Sequence, residues 1–148
     1  MSIALRFANS FLMAEEITND SFLKVFTKLD THDTEKSFKA WLRQIVVNSA
    51  LDYNRREMKN QNLVFTDQNI EESTDDSDLD LPDAETIIAA LQTLSPVYRL
   101  VFNLYVMEGY SHDEIAAQLD VSVSTSRSNL ARAKQKLKEI VQKSKNYA

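Results

Sequence analysis

The sequence predicts an all-α protein: two small helical domains joined by an acidic flexible linker, the second a helix-turn-helix of the winged-helix-like, four-helix kind. One Gly and two Pro among 148 residues are far below average usage, which disfavours turn-rich β-sandwiches and β-barrels. Apolar residues recur at helical spacing on both sides of one acidic stretch. With 43% hydrophobic residues, the chain can bury a core.

Composition also excludes several function classes. A single Gly cannot build a P-loop or a dinucleotide fingerprint, and the absence of Cys excludes disulfides, zinc ribbons and thiol chemistry. His32 and His112 have no second His or Cys at ligand spacing, so we expect neither a metal nor a cofactor. No apolar run approaches the roughly 18 residues that span a bilayer, so we expect a cytoplasmic protein. No residues form a catalytic constellation, and we expect no enzyme.

The net charge of −5 is concentrated in one segment. Residues 1–66 contain 9 basic and 8 acidic side chains, residues 67–85 contain 9 acidic and no basic ones, and residues 86–148 contain 8 basic and 5 acidic ones. A run of like charge with few large apolar residues cannot offset its ordering entropy. We therefore predict a domain at 1–62, a linker at 63–85 and a second domain at 86–148.

Two long amphipathic helices are predicted in the first domain, over residues 14–29 and 36–58. Their apolar stripes follow the i, i+3, i+4, i+7 pattern, and we expect both stripes to be buried: Phe22, Val25, Phe26 and Leu29, then Phe38, Trp41, Leu42 and Ile45. Residues 3–13 are apolar enough for a further short helix.

The second domain has clear helix start and stop signals. Ser95 before Pro96 predicts a helix start, with Val97, Leu100, Val101 and Leu104 on its buried face, and Gly109 predicts a left-handed end. A capping box at Ser111 and Glu114, with Tyr110 and Ile115 as a hydrophobic staple, predicts a helix over 111–119. After a tight turn, Ser122 is placed to cap a long helix that reaches about residue 141.

Two helices joined by a short turn, the second one basic, predict a DNA-binding helix-turn-helix. Residues 124–129 are short and polar, which we interpret as unsuited to a core, with Ser124 and Thr125 among the candidate base contacts. Residues 127–148 then carry seven cations against Glu139 alone. A solvated helix would also explain the cations, but the helix signals in register favour DNA.

In this order the motifs resemble the extracytoplasmic-function group of bacterial sigma factors. The stretch 14–26 is similar to the helix with which the family grips core RNA polymerase, and 38–56 is similar to the helix that opens and reads the minus-ten promoter element. Residues 94–99 and 110–137 resemble the module that reads the minus-thirty-five element. The similarity spans about residues 5–141.

The resemblance implies roles for particular residues. Polymerase contacts would fall on Asn19, Asp20, Phe22, Leu23 and Phe26. Contacts to the upstream element would fall on Arg127, Ser128 and Ala131, with Arg132 and Lys134 near the DNA backbone. Asn48 would help to hold a flipped promoter base, which the loop 31–37 receives. We add Trp41, Arg55 and Arg56 as candidate DNA contacts, although, taken alone, a core position for Trp41 and helix-dipole pairing for the arginines would explain them better.

The sequence departs from the family pattern at several positions, and each departure predicts a difference in structure or in polymerase binding. The family normally has a further helix before the equivalent of Ile3, so we expect either an incomplete first domain or a misplaced start site. Ser126 stands where the family usually has Val, which predicts looser packing of the recognition helix. Thr18 and Ser21 are more polar than usual, which predicts weaker polymerase binding.

Two alternatives stay open on the sequence alone. One is a stand-alone helix-turn-helix regulator. The other is a degenerate sigma-like protein that acts only through protein partners, for instance by sequestering an anti-sigma factor.

Overall fold

In a computed structural model, the chain is described over residues 1–61 and 82–146, and these residues form helices in two compact units. Most of the predicted linker lies outside the described residues. Its last residues do not: Asp83 caps a helix that begins at Ala84, where its Oδ1 accepts a hydrogen bond from the Thr86 backbone N–H at 3.0 Å. The boundary predicted at residue 85 is therefore too late, because an acidic residue is also a good N-cap.

The first unit consists of three helices, α1 (Ser2–Phe7), α2 (Phe11–Lys28) and α3 (Phe38–Asn60), with a 3₁₀ turn at Leu29–Thr31. The single helix predicted over 3–13 is wrong. Ala8 is extended, and Ser10 caps a new helix by accepting the Met13 N–H at 3.2 Å. Asn54 of α3 is buried and donates to the Phe7 carbonyl at 3.3 Å, which holds the end of α1 against α3.

The buried face of α2 is not the predicted one. Its buried residues are Met13, Ala14, Ile17 and Ser21. Phe22, Phe26 and Leu29, which we expected in the core, are 55%, 76% and 49% exposed. Two apolar stripes of helical spacing compete on this helix, and the stripe with the smaller side chains packs against its neighbours. In α3, Ile45 is buried as predicted, but Phe38 is 47% exposed.

Over residues 82–146, the second unit contains four helices: α4 (Ala84–Thr93), α5 (Pro96–Phe102), α6 (His112–Leu119) and α7 (Val123–Asn146). A π-helical turn, Asn103–Met107, extends α5. The helix signals are confirmed: Gly109 has φ +74°, Ser111 and Glu114 form both capping-box hydrogen bonds, and Asp120 is left-handed at φ 54°. The winged-helix-like description applies to the helices alone, since residues 82–146 contain no strand.

Arg99 is buried inside the second unit and joins α5 to the end of α4. It is 2% exposed, and its guanidinium donates to the carbonyls of Leu91 at 3.2 Å and Leu94 at 2.9 Å. Burial lowers the pKa of Arg99 to about 10. The buried charge is tolerated because backbone carbonyl oxygens accept hydrogen bonds from the guanidinium.

Substituting Arg99 by Met should destabilise the protein by about 2–4 kcal/mol, because two buried carbonyls lose a charged donor. Thermal unfolding followed by circular dichroism measures the change. Arg127→Met removes the same charge from an exposed position and should stay within about 0.5 kcal/mol of wild type. Equal effects of the two substitutions would contradict the structural role of Arg99.

Candidate nucleic-acid and partner surfaces

The long helix α7 has one buried face and one accessible face. Its buried face includes Ser126, Leu130, Ala133 and Leu137, spaced i, i+4, i+7, i+11. Ser124, Arg127, Ser128 and Ala131 are spaced i, i+3, i+4, i+7, so they lie together on another face, and none of them is buried. The structure therefore brings four of the predicted DNA contacts together on one accessible surface, which we call the α7 outer face.

Thr125 is not part of this surface. It is 3% exposed, its backbone N–H donates to Ser122 Oγ at 3.0 Å, and its hydroxyl lies 2.8 Å from the same oxygen. Ser126 and Asn129 are also buried. The interpretation of 124–129 as unsuited to a core is therefore wrong for these three residues, since short polar side chains can be buried where a hydrogen-bond partner is available.

The cations of α7 surround the outer face. All seven Lys and Arg residues from Arg127 to Lys145 are exposed or half-buried. Arg132 is oriented by Tyr98, whose hydroxyl accepts from the Arg132 guanidinium at 3.4 Å. Because Glu139 is the only carboxylate in this stretch, the helix presents positive charge along its length.

Ser126 does not leave the loose packing that we expected from the family pattern. Its Oγ lies 2.9 Å from Nδ1 of His112, the first residue of α6. The His112 ring stacks on Tyr105 of the π-helical turn, with ring centroids 4.5 Å apart. A hydrogen bond thus joins the two helices of the helix-turn-helix where an aliphatic contact was expected. No local pattern predicts it, because the two residues are 14 positions apart.

In the first unit, aromatic rings cluster where the loop 31–37 meets α3. His32 lies 5.0 Å from Trp41 and 5.5 Å from Phe38, and Phe38 lies 5.5 Å from Trp41, all between ring centroids. Nε2 of His32 is buried and has no hydrogen-bond partner in the described part of the chain. This aromatic cluster is partly accessible, since Phe38 is exposed and the other two rings are half-buried.

One face of α3 connects the aromatic cluster to the predicted arginine contacts. Trp41, Asn48, Asp52 and Arg55 are spaced i, i+7, i+11, i+14 and therefore share a face. Asn48 is exposed, and its Oδ1 accepts from Gln44 Nε2 at 3.1 Å.

Near the end of α3, Arg56 lies over the Tyr53 ring, at 5.7 Å from its centroid. A hydrogen bond with Glu16, helped by burial, raises the pKa of Tyr53 to about 12.

Lys24 joins the two long helices of the first unit through ion pairs. No pattern in the sequence indicated a role for this residue. Its ammonium lies 3.0 Å from Asp20 of α2 and 3.4 Å from Asp52 of α3, which also pairs with Arg55 at 3.3 Å. Asp20 and Arg55, predicted as partner and DNA contacts, are thus engaged inside the unit. Ion pairs this exposed contribute about 0–1 kcal/mol each, so a partner can replace them.

The exposed face of α2 carries large apolar side chains. Phe22, Leu23 and Phe26 are 55%, 67% and 76% exposed, and Asn19 is exposed beside them. Ser21 is buried and Thr18 half-buried, and both donate to carbonyls of their own helix, at 2.6 Å and 2.7 Å. Their polarity therefore does not extend to the exposed apolar surface, which we call the α2 patch.

Comparison with known proteins gives a consistent pattern for both units. The family model of sigma-70 region 2 matches residues 1–60, and that of sigma-70 region 4 matches residues 84–137. The RNA polymerase sigma factor NccH of Alcaligenes xylosoxydans xylosoxydans is 30% identical over 88% of this chain and 74% of its own length. The ECF sigma factor SigE of Mycolicibacterium smegmatis is also 30% identical, over 95% of this chain but only 56% of its own length.

A solved structure shares the fold. The sigma factor RpoE of Bartonella quintana, crystallised with the anti-sigma factor NepR, matches with a TM-score of 0.55 and 26% identity, over 95% of this chain and 88% of that one. Within the residues described, no helix is long and apolar enough to cross a membrane.

The His112 contact should make the protein less stable in acid. Burial, and then the Arg127 guanidinium, lower the pKa of His112 below its usual 6.5 in the folded chain. The neutral ring is thus favoured in the fold, so its stabilising contribution is complete above about pH 6.5 and is lost as the pH falls below that value.

We expect the melting temperature to fall further between about pH 7.5 and pH 5.5 in wild type than in His112→Asn, which cannot titrate there. Circular dichroism at both pH values measures the difference. The two proteins differ only at position 112, so equal decreases would show that His112 does not contribute.

Proposed function

Because the chain belongs to the extracytoplasmic-function group of RNA polymerase sigma factors, we propose that it binds core RNA polymerase and directs transcription initiation at specific promoters. The observation that carries the proposal is the α7 outer face, an accessible polar surface on the basic second helix of a helix-turn-helix. This protein contributes recognition rather than bond chemistry and acts in the cytoplasm, where polymerase and promoter DNA meet.

The α7 outer face supports recognition of the upstream promoter element. Arg127 can donate to base edges in the major groove, and Ser124 can do so at the helix start. The Ser128 hydroxyl donates to the Thr125 carbonyl at 3.1 Å and can accept from a base edge, while Ala131 can pack against a thymine methyl. Arg132 and Lys134 flank them as phosphate contacts. Thr125 drops out of this set because it is buried.

The aromatic cluster and Asn48 support capture of the opened strand. A flipped base needs a ring on which to stack and a hydrogen-bonding group, and Trp41 and Asn48 lie two turns apart on one face of α3. Arg55 and Arg56 follow at its far end, where they can contact the backbone. We assign the minus-ten element to this face.

The α2 patch supports docking to polymerase. Exposed aromatic side chains on one helix are costly in water, and they mark an interface when they lie side by side. Since the related RpoE was crystallised with an anti-sigma factor, we propose that a regulatory protein of that kind also binds this chain.

Reconstitution with purified core polymerase tests the proposal as a whole. We expect run-off transcription from the protein's own upstream region, and we expect Phe26→Asp to abolish it by placing a charge in the interface. Phe11→Asp is the matched control, because Phe11 is 60% exposed on α2 but lies outside the predicted contacts. Tight duplex binding without polymerase would instead indicate a stand-alone regulator, and absence of salt-dependent DNA binding would indicate a protein that acts only through partners.

Arg127→Ala should weaken binding of the upstream element by about 1–3 kcal/mol, because a charged donor to base edges is lost. Fluorescence anisotropy with a labelled promoter duplex measures the loss. Lys145→Ala removes the same charge about 27 Å further along α7 and should change the affinity less than about twofold. Unchanged binding in Arg127→Ala would refute the recognition-helix assignment.

Asn48→Ala should spare duplex binding but reduce open-complex formation, because the flipped base loses a hydrogen bond. Permanganate reactivity of promoter thymines in the holoenzyme reports the melted strand. Gln44→Ala removes the same Gln44–Asn48 hydrogen bond yet keeps Asn48, so it should melt the promoter normally. Equal defects in both variants would assign the effect to helix structure instead of base capture.

A further inference from the structure

Three side chains from three successive helical segments meet in the second unit. Tyr105 lies on the π-helical turn, His112 begins α6, and Ser126 lies on the buried side of α7. The imidazole stacks on the phenol ring and shares a 2.9 Å hydrogen bond with the serine hydroxyl. We call this set the His112 node.

The hydrogen bond in the node satisfies a buried hydroxyl of α7. Ser126 is 0% exposed, so water cannot satisfy its hydroxyl, and a buried hydroxyl without a partner is strongly unfavourable. His112 supplies the partner atom through Nδ1. The position of α7 against α6 therefore depends on this imidazole, and Arg127 follows Ser126 directly in the chain.

Positive charge surrounds the imidazole. On α7, Arg127 and Lys134 both disfavour a charged ring, while Asp113 of the same helix favours it. Tyr105, on the remaining segment packed against α6, is the other titratable group in contact. The ring also lies at the positive end of α6, which disfavours a second positive charge.

We propose that His112 is a positioning residue that holds the recognition helix through Ser126 and takes up a proton when that helix binds duplex DNA. This inference rests on the proposed function. It assigns His112 a role beyond the start of its helix, and it extends the DNA-binding machinery to a residue outside the α7 outer face.

Proton uptake follows from the charges around the node. Duplex phosphates that pair with Arg127 and Lys134 neutralise the two cations that oppose protonation, so the charged imidazole is more favourable in the complex than in the unbound protein. The contact with Ser126 survives, because a serine hydroxyl can rotate from donor to acceptor. By linkage, affinity for the duplex must then increase as the pH falls, by at most about tenfold per pH unit for one proton.

Fluorescence anisotropy of the full-length chain with a labelled duplex of its own upstream region, at constant low salt, tests both parts. We expect wild type to bind about threefold or more tightly at about pH 5.5 than at pH 7.5. His112→Asn keeps a hydrogen-bonding group near the Nδ1 position but cannot titrate. Relative to its own affinity at about pH 7.5, it should lose most of the increase at pH 5.5. Circular dichroism in the same buffers establishes that each protein is folded.

The positioning role is tested by removing the partner of His112. Ser126→Ala should weaken duplex binding severalfold at about pH 7.5, and Ser126→Cys, which preserves the volume, serves if Ser126→Ala does not fold. His112→Asn keeps a hydrogen-bonding group near the Nδ1 position, so it should weaken binding less than Ser126→Ala. A folded Ser126 variant with wild-type affinity would overturn the positioning role.

The outcomes separate this inference from the proposed function. If wild type and His112→Asn have the same pH profile while both bind the duplex in a salt-dependent manner, proton uptake at His112 is refuted and the sigma-factor proposal stands. If wild type binds no duplex at any pH, either alone or with core polymerase, the proposed function itself fails.

Discussion

The second unit depends on one constraint: α7 must satisfy a core and a ligand surface with the same 24 residues. Its buried side packs Leu130, Ala133 and Leu137 into the unit, and its outer face remains accessible. Because an α-helix advances 100° per residue, each position is committed to one side. The rotation of α7 about its own axis is therefore the central quantity, since a rotation that buried Arg127 would also expose Ser126.

Small and polar residues set that rotation. A leucine stripe alone tolerates sliding, whereas a buried hydroxyl opposite a single imidazole nitrogen does not. Ser122 and Thr125 fix the start of the helix, and Ser126 fixes its rotation against α6. The polar start of α7 therefore has two functions. Ser122, Thr125 and Ser126 orient the helix, whereas Ser124, Arg127 and Ser128 belong to its outer face.

The sequence was sufficient to predict the two long helices of the first unit, the helices α5 to α7 with their caps, and the division into two units, but neither the break between α1 and α2 nor α4. Pro96, Gly109 and the Ser111–Glu114 box are local signals, and local signals survive folding. It was not sufficient to identify the buried face of α2, where two stripes had the same spacing. Aromatic rings looked like the better core, but Ala14 and Ile17 permit closer helix packing. The His112 node was likewise beyond prediction, because it joins residues that only the tertiary fold brings together.

The same competition on α2 explains why the large apolar side chains remain outside. A core is selected for close packing, and three bulky side chains that do not pack into it stay in water unless another molecule covers them.

The distribution of charge, like that of apolar side chains, matters locally. A protein with a net charge of −5 can bind DNA because exposed charges are screened beyond about 8–10 Å at physiological salt, and Glu139 is the only carboxylate among residues 127–148. Local surface composition, and not net charge, therefore determines what each face of this molecule can bind.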